Sequence, residues 1–317
     1  MKRVWSCVIL LCLWVPGNLT AQGLPQQVAS PAFSLSENVK VNPYAQIGFQ
    51  WVGSNLNLPV RNETLTNFLN IGDMDISLKD ANFWTGTAGV NVTVKDMYSF
   101  FAAAGGLMNR PFLTAATVPV SLDAFSTSAN LEFTNTNVES WFVQTGVGVG
   151  PILLGLYWDH FAFALGDPRN SAGPIANQTL KGDILTKTFS PFIGIALPAS
   201  GALLTVTYSP WAYSNTALAL TSSRNNVSEL RYTWNKPGDL FNAMLQYNTP
   251  VSSSSTFGLW CNYSHMKMGQ DAELEFVNAP VPTVERTRSV NATMTKYVYG
   301  AGITLGVDFR LSTMMPE

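Results

Sequence analysis

The sequence predicts an all-β chain that closes into an antiparallel transmembrane β-barrel. Three observations predict this fold: a long alternating stretch near the C-terminal end, a composition poor in charge, and an N-terminal export signal. From Tyr297 to Leu311 every second residue is apolar, and most of the residues between them are small or polar. Soluble strands average about five or six residues, whereas a stretch of this length spans about 50 Å. Such a strand faces lipid on one side and the lumen of a closed barrel on the other, because an open sheet edge has no hydrogen-bond partners in lipid.

The composition also indicates a surface that does not face water. The chain is 46% hydrophobic and 12% charged, whereas charged residues make up about 25% of a typical soluble domain. The best candidate for a membrane helix beyond the N-terminus is residues 190–208, but prolines and glycines interrupt it, and it reads better as two strands around a turn. The formal net charge of −2 gives no basic surface of the kind that nucleic acid requires.

The last predicted strand also carries a short motif. In the segment TLGVDFRL the polar Thr304 is followed two positions later by Gly306, and the hydrophobic residues Phe309 and Leu311 come next, spaced by one. This pattern resembles the C-terminal assembly signal of Gram-negative outer-membrane β-barrels, a porin-like family in which the barrel-assembly machinery reads the final strand. The resemblance implies an outer-membrane location, contact with membrane lipids and lipopolysaccharide, and that machinery as a partner during biogenesis.

The chain divides into four predicted segments. Residues 1–21 have the basic start, apolar run and small-residue cleavage site of a signal peptide. Residues 22–38 are rich in Gln, Ser and Pro and are predicted to form a periplasmic lead-in, residues 39–311 the barrel, and residues 312–317 a C-terminal tail. Cleavage leaves Cys261 as the one cysteine, so the sheet rather than disulfide bridges must hold the fold.

The first strands set the orientation of the predicted barrel. Alternation predicts a strand over residues 39–51, followed by a polar loop, and the clearest hairpin joins residues 82–94 to residues 97–107 through a tight turn at Lys95-Asp96. Tight turns of such barrels lie on the periplasmic side and long loops outside the cell. Residues 108–137 are therefore predicted to lie outside the cell or to fold back into the lumen.

The remaining strands complete a predicted barrel of about twelve, with ten to fourteen left open. They are predicted over residues 138–150, 152–163, 184–197, 202–213, 227–235, 239–248, 256–265, 272–277 and 296–311. An even number places both termini in the periplasm. Pro191 and Pro210 fall inside predicted strands, where a closed barrel has no free edge to tolerate them, so we expect bulges or strand ends there.

Few charged side chains face the predicted lumen, which otherwise consists of Gly, Ser, Thr, Asn and Gln. The pore-lining candidates are Asp159, Arg231, Glu273, Glu275, Asp308 and Arg310. Arg110 and Asp123 of the long segment 108–137 are candidates for a loop constriction. A barrel of this size lies between eight-stranded barrels filled by side chains and sixteen-stranded porins with an aqueous channel. We therefore expect a narrow passive pore for small solutes or, as the alternative, a non-conducting structural or receptor barrel with ligand-binding extracellular loops.

A barrel-embedded hydrolase is the third hypothesis, and the two histidines test it. Outer-membrane phospholipases and omptin-type proteases each use a histidine in the lumen or at the rim. Here His160 and His265 have outward parity and are predicted at opposite ends of the barrel. Adjacent strand residues face opposite sides, so neither Asp159 nor Ser264 can form a dyad with its neighbouring histidine. The sequence thus predicts no catalytic residue, no enzyme, no cofactor and no metal site.

Overall fold

The computed structural model describes the barrel strands and the strands that extend them. The described residues are 33–36, 39–59, 74–94, 97–111, 118–124, 127–133, 138–165, 168–169, 180–199, 202–222, 226–252, 255–277 and 287–307. The predicted signal peptide, the C-terminal tail, Asp308, Phe309, Arg310 and Leu311 lie outside them. Within the described residues, no helix is long and apolar enough to span a membrane.

Every regular element of these residues is a β-strand. In chain order the strands are β1 (Phe33–Ser36), β2 (Val39–Leu58), β3 (Met74–Val94), β4 (Tyr98–Pro111), β5 (Val118–Ala124), β6 (Thr127–Phe133), β7 (Val138–Val149), β8 (Ile152–Leu165), β9 (Pro168–Arg169), β10 (Leu180–Ala199), β11 (Ala202–Ser222), β12 (Asn226–Trp234), β13 (Gly238–Ser252), β14 (Ser255–Met268), β15 (Ala272–Val277), β16 (Thr287–Val290) and β17 (Thr293–Val307).

Ten of these strands form one closed antiparallel ring. Their order is β2, β3, β4, β7, β8, β10, β11, β13, β14 and β17, and β17 pairs again with β2 to close the ring. The all-β closed barrel predicted from alternation is confirmed. It has ten strands, within the predicted range of ten to fourteen but fewer than the twelve of the strand assignment. Closure leaves no strand edge of the ring unpaired, as the membrane interior requires.

Of the twelve strands predicted from the sequence, the two that lie outside the ring are β12 and β15. They pair with each other, while β11 pairs directly with β13 from Ala202 opposite Tyr247 onwards. β15 has 6 residues, fewer than the roughly 9–11 that a crossing strand needs. The sequence analysis counted β12 as a crossing strand, so it predicted β13 and β14 in the direction opposite to the one that they have. His160 and His265 therefore lie toward the same end of the barrel, and their predicted placement at opposite ends was wrong.

The connections have the distribution that the predicted orientation requires, with the tight turns at one end of the barrel. Val94 of β3 lies opposite Tyr98 of β4, on either side of the predicted tight turn, and a two-residue turn, Gly150-Pro151, joins β7 to β8. The longer connections all lie at the other end, which is the extracellular end by the rule applied above. The predicted irregularities at proline are also present, because the register shifts between Phe189 and Ile193 and between Ser209 and Ala212.

The polarity of the two faces of the barrel wall reverses along its strands. Near the periplasmic end of β2, Ile47 is exposed on the outer face and Gln46 faces inward, whereas farther along Asn55 is exposed and Leu56 is buried. The 20 residues of β2 span about 65 Å, more than a tilted strand needs to cross an apolar band about 25 Å tall. The wall therefore continues beyond the lipid into water, where its outer face becomes polar and its inner face apolar.

The inner faces of this extracellular half pack into one apolar core. It consists of Val52, Leu56, Leu58, Met74, Ile76, Leu78, Ala81, Phe83, Val138, Phe161, Phe163, Ile184, Ala212, Leu218, Leu230, Tyr232, Trp234, Leu240, Met266, Met268, Ala272, Leu274, Phe276, Ala292 and Met294. Strands β5, β6, β12, β15 and β16, with the ends of the ring strands that pair with them, form the extracellular head around this core. Burial of this apolar surface is the main force that stabilises the head.

The predicted long loop of residues 108–137 contains part of the head. Met74 and Ile76 of β3 lie opposite Leu122 and Val120 of β5, and β5 forms a hairpin with β6. These two strands therefore prolong the barrel wall instead of folding into the lumen. Arg110 and Asp123 lie on β4 and β5, and their side chains are outside the described part of the structure.

Candidate functional site: the barrel lumen

A buried ion pair crosses the lumen. Nζ of Lys296 lies 2.5 Å from Oδ2 of Asp159, and the two side chains are 9% and 5% exposed. Their strands are opposite each other in the ring, because the path from β17 to β8 takes five steps through β2, β3, β4 and β7 and five through β14, β13, β11 and β10. The pair therefore joins two opposite walls.

The surroundings of this ion pair explain why both charges remain buried. Nζ of Lys296 lies 4.4 Å from the centroid of the Phe161 ring, a distance at which the ring face attracts a cation. Tyr157, two residues before Asp159 on the same inward face of β8, interacts with the carboxylate. Removing a charge from water is costly unless a partner compensates it, and here each charge compensates the other. The ion pair borders the periplasmic side of the apolar core, to which Phe161 belongs.

Beneath the ion pair the lumen contains two cavities, of about 130 Å³ and about 180 Å³. They share the lining residues Tyr44, Gln144, Phe192, Thr207, Asn242 and Met244. The shared lining shows that the two cavities adjoin, and together they form the lower lumen in the periplasmic half of the barrel. The lumen thus has a polar periplasmic half, an ion pair across its axis, and an apolar extracellular half.

Amide side chains dominate the polar lining of the lower lumen, as the sequence predicted. Nε2 of Gln46 donates to Oε1 of Gln246 over 3.5 Å and to Oγ1 of Thr304 over 3.4 Å. Nε2 of Gln246 donates to Oδ1 of Asn248 over 3.1 Å. These bonds link strands β2, β13 and β17 across the space. Neutral amides both donate and accept hydrogen bonds, so this lining suits an uncharged polar ligand or water.

Of the predicted pore-lining residues, Asp159 faces the lumen, whereas Arg231, Glu273 and Glu275 do not. All three are exposed on the outer face of β12 and β15, where Nε of Arg231 lies 2.7 Å from Oε1 of Glu229 and its Nη1 lies 3.8 Å from Oε2 of Glu275. The hydrogen bond to Glu229 raises the pKa of Arg231. The prediction was wrong because these strands lie in water, where polar residues face outward and apolar residues such as Leu230 face inward.

Lys296 is the lumen residue that our sequence reasoning missed. The parity that places Tyr297 outward places Lys296 inward, so the signal was present, but the residue stood at the predicted start of the strand. In the predicted assembly motif, Thr304 and Gly306 are buried on the lumenal face. Asp308, Arg310, Phe309 and Leu311 lie outside the described residues.

Both histidines lie on the outer face of the barrel. The imidazole of His160 stacks on Trp141 with ring centroids 5.0 Å apart, and His265 lies opposite the outward-facing Tyr297 on β17. Among the described residues, no group of three or more His, Cys, Asp and Glu side chains is arranged to hold a metal ion.

The comparisons with known proteins support the fold. No protein family and no curated protein sequence matches the chain. The outer-membrane protease OmpT from Escherichia coli is similar in structure, with a TM-score of 0.60 and 11% identity over 86% of this chain and 97% of that one. The translocator domain of the autotransporter NalP from Neisseria meningitidis matches with a TM-score of 0.33 and 14% identity, over 84% of this chain and 89% of that one.

OmpT is an outer-membrane protein, and this chain has its barrel fold. Its outer face carries a belt of exposed large hydrophobic side chains, including Ile47, Phe100, Val147, Leu154, Ile195 and Leu259, as a lipid-facing wall requires. The barrel fold predicted from the sequence is confirmed, and its exposed apolar belt is the surface that the predicted outer-membrane location requires. The expectation that the protein is not an enzyme is contradicted, since OmpT, a solved barrel of this fold, is a protease. At 11% identity the likeness concerns the fold alone and transfers no catalytic residue.

Proposed function

We propose that this outer-membrane barrel is closed to ions and solutes, and that its extracellular head presents a charged outer face to ligands at the cell surface. The observation that carries the proposal is the ion pair between Lys296 and Asp159, which joins opposite walls beneath the apolar core. This function corresponds to the receptor alternative, and the lumen favours it over the narrow passive pore expected first.

The case for a closed barrel rests on two consecutive barriers. An ion entering from the periplasm first meets a cation and an anion that are already paired, so neither is available to replace its hydration shell. It then meets the apolar core, where a charge without a partner is strongly disfavoured. Apolar constrictions of this kind close channels by excluding water. Both barriers oppose conduction of either sign of ion.

The case for a ligand-presenting head rests on its regular strand structure and on the charge of its outer face. Strands β12 and β15 hold Glu229, Arg231, Glu273 and Glu275 on one outer face. Three carboxylates around one guanidinium make this face net negative. A charged surface of fixed geometry increases association rates with ligands of opposite charge and contributes to specificity. A cationic ligand is therefore the class that this face favours.

Planar bilayer recordings test the closed barrel. The purified wild-type protein is expected to give no stepwise currents under conditions in which a porin conducts. A variant with Lys296→Met and Asp159→Leu, which removes the ion pair and leaves the apolar core, is expected to stay closed. Reproducible channels from the wild-type protein would instead support the narrow pore. Channels from the double variant alone would place the barrier at the ion pair.

Binding of poly-L-lysine to the purified protein in lipid nanodiscs tests the head. Glu273→Gln with Glu275→Gln is expected to weaken binding, and the loss is expected to shrink at high salt because screening acts on exposed charges. Asp75→Asn with Glu139→Gln, which removes two exposed carboxylates on β3 and β7, serves as the matched control. Equal losses of poly-L-lysine binding in both variants would contradict a specific role of this face. They would not change the interpretation of the bilayer recordings.

A further inference from the structure

We propose that the lower lumen is a binding site for a neutral polyhydroxylated ligand of about monosaccharide size, which enters from the periplasm. The amide oxygens of Asn42 and Asn262 are assigned as acceptors for its hydroxyl groups, and Trp260 as the aromatic surface against which it packs. The site lies below the ion pair, away from the extracellular head to which the proposed function refers.

Two buried acceptors in the lower lumen have no protein partner. They are Oδ1 of Asn42, a residue only 6% exposed that lines the cavity of about 180 Å³, and Oδ1 of Asn262, a residue that lines the cavity of about 130 Å³. Buried polar atoms of native proteins nearly always have hydrogen-bond partners, because an unsatisfied one is costly. A ligand with hydroxyl donors supplies these partners.

Three other amides of the site are already held in place by one another. The bonds from Gln46 to Gln246 and from Gln246 to Asn248 fix the orientation of three side chains on two walls. A preorganised lining loses little conformational freedom when a ligand binds. Each ligand hydroxyl both donates and accepts one or more hydrogen bonds, which matches a lining of amides that also do both.

The indole of Trp260 provides an apolar surface at the same site. Its Nε1 donates to the carbonyl oxygen of Ile303 over 3.1 Å, and the ring lies across Gly48 and Gly302 on the adjoining strands. A Cβ added at Gly48 would lie 2.6 Å from Cζ2 of Trp260, and one added at Gly302 would lie 2.8 Å from it. The glycines thus leave room for the ring against the wall. Small-molecule sites combine such aromatic surfaces with a few fixed polar groups, and the C–H face of a sugar ring packs on an aromatic ring.

The charge of the lining selects a neutral ligand. None of the described residues that line the larger cavity is charged, and the charged residues that line the smaller one, Lys296 and Asp159, compensate each other. An ionic ligand would lose its hydration without gaining a counter-ion, which is unfavourable. Entry is from the periplasm, because Asn42 and Asn248 lie near the periplasmic ends of β2 and β13 while the apolar core fills the other end.

Calorimetric titration of the folded full chain in detergent with glucose tests this proposal, with glucuronate as the charged analogue. Saturable binding of glucose is expected, with glucuronate at least about tenfold weaker. Asn42→Leu is expected to weaken glucose binding at least about tenfold, the effect of one lost buried hydrogen bond. Asn215→Leu, at an exposed position on the outer face of β11, is the control and is expected to bind as the wild type does.

Three results would overturn the proposal: no saturable binding of glucose at millimolar concentration, equal affinity for glucuronate, or equal effects of Asn42→Leu and Asn215→Leu. Heat-dependent mobility in SDS gels verifies that each variant is folded. If Asn42→Leu does not fold, Asn262→Leu replaces it, because Oδ1 of Asn262 is the second acceptor without a partner. Binding is measured separately from conductance, so its failure and that of the closed barrel are distinguishable.

Discussion

Lys296 and Asp159 extend from opposite walls of the barrel and meet in its lumen, although 137 positions separate them in the chain. A ring of ten strands is only slightly wider than an eight-stranded barrel, whose interior side chains fill it. One long and one short side chain therefore suffice to cross it. The same contact joins two parts of the ring that share no backbone hydrogen bond.

This contact predicts a strong effect of breaking the pair and a small effect of removing it. Lys296→Met leaves the Asp159 carboxylate buried without a partner and is expected to lower the free energy of unfolding by about 3–5 kcal/mol. Adding Asp159→Leu is expected to restore most of this loss, because apolar residues of similar volume replace buried ion pairs at little cost. Urea unfolding in lipid vesicles measures both.

The control for these two variants is Lys187→Met, which removes an exposed lysine on the outer face of β10. Its expected effect is below about 0.5 kcal/mol, as for surface substitutions in general. A loss in Lys296→Met no larger than that in Lys187→Met would contradict the role of the ion pair.

The close packing of Trp260 on the wall predicts that Gly302 tolerates no side chain. A Cβ there would lie 2.2 Å from the carbonyl oxygen of Ile47 and 2.5 Å from Cα of Gly48. Gly302→Ala is therefore expected to cost about 1–3 kcal/mol, the range for overpacking, and to change the near-ultraviolet circular dichroism of the tryptophans. Gly86→Ala is the matched control, since nothing lies within 4 Å of a Cβ added at Gly86. Equal stabilities of the two variants would disprove the close contact.

The turn between β14 and β15 contains a carboxylate with a perturbed pKa. Nζ of Lys236 lies 3.0 Å from Oδ2 of Asp271, and hydrogen bonds from Lys236 and then Asn235 lower the pKa of Asp271 below its ordinary value. A carboxylate whose pKa is lowered by folding stabilises the fold above its unfolded pKa, and this contribution disappears as the pH falls through the lowered value. The stabilisation is therefore present at neutral pH and lost in acid.

Lys236→Met is expected to raise the pKa of Asp271 toward that of a free aspartate. A carbon-13 NMR titration of the Asp271 carboxyl measures the shift directly. Lys79→Met, which removes an exposed lysine of β3, is expected to leave this pKa unchanged. An unchanged titration in Lys236→Met would show that Lys236 does not cause the perturbation.

Ring closure predicts resistance to SDS at room temperature. Each ring strand is hydrogen-bonded on both sides, so opening the barrel at any one strand breaks many bonds together. The unboiled protein is expected to migrate faster than the boiled protein on a gel, because the compact barrel is smaller than the unfolded chain. Identical mobility before and after boiling would count against the closed ring in solution.

Much of the fold was predictable because alternation is a local property. Within the lipid belt, residues such as Ile47 and Tyr297 face outward in the parity that the sequence predicted, and the tight connection after Val94 is present as predicted. The lumen composition followed from the same parity. The amide lining was therefore predictable as a composition, but the partners of individual amides were not, since Gln46 and Gln246 lie on strands far apart in the chain.

The sequence by itself determined that the chain forms amphipathic strands, which residues of a crossing strand share a face, and that the whole requires closure in a membrane. The tertiary structure decided how many strands cross, which half of the lumen is filled, and that Lys296 meets Asp159. The physical reason is that alternation shows that the two faces of a strand lie in different environments, but not whether these are lipid and lumen or water and an apolar core. Glu273 and Leu274 alternate as lumenal and lipid-facing residues would, yet β15 lies above the lipid, so water is outside and the apolar core inside.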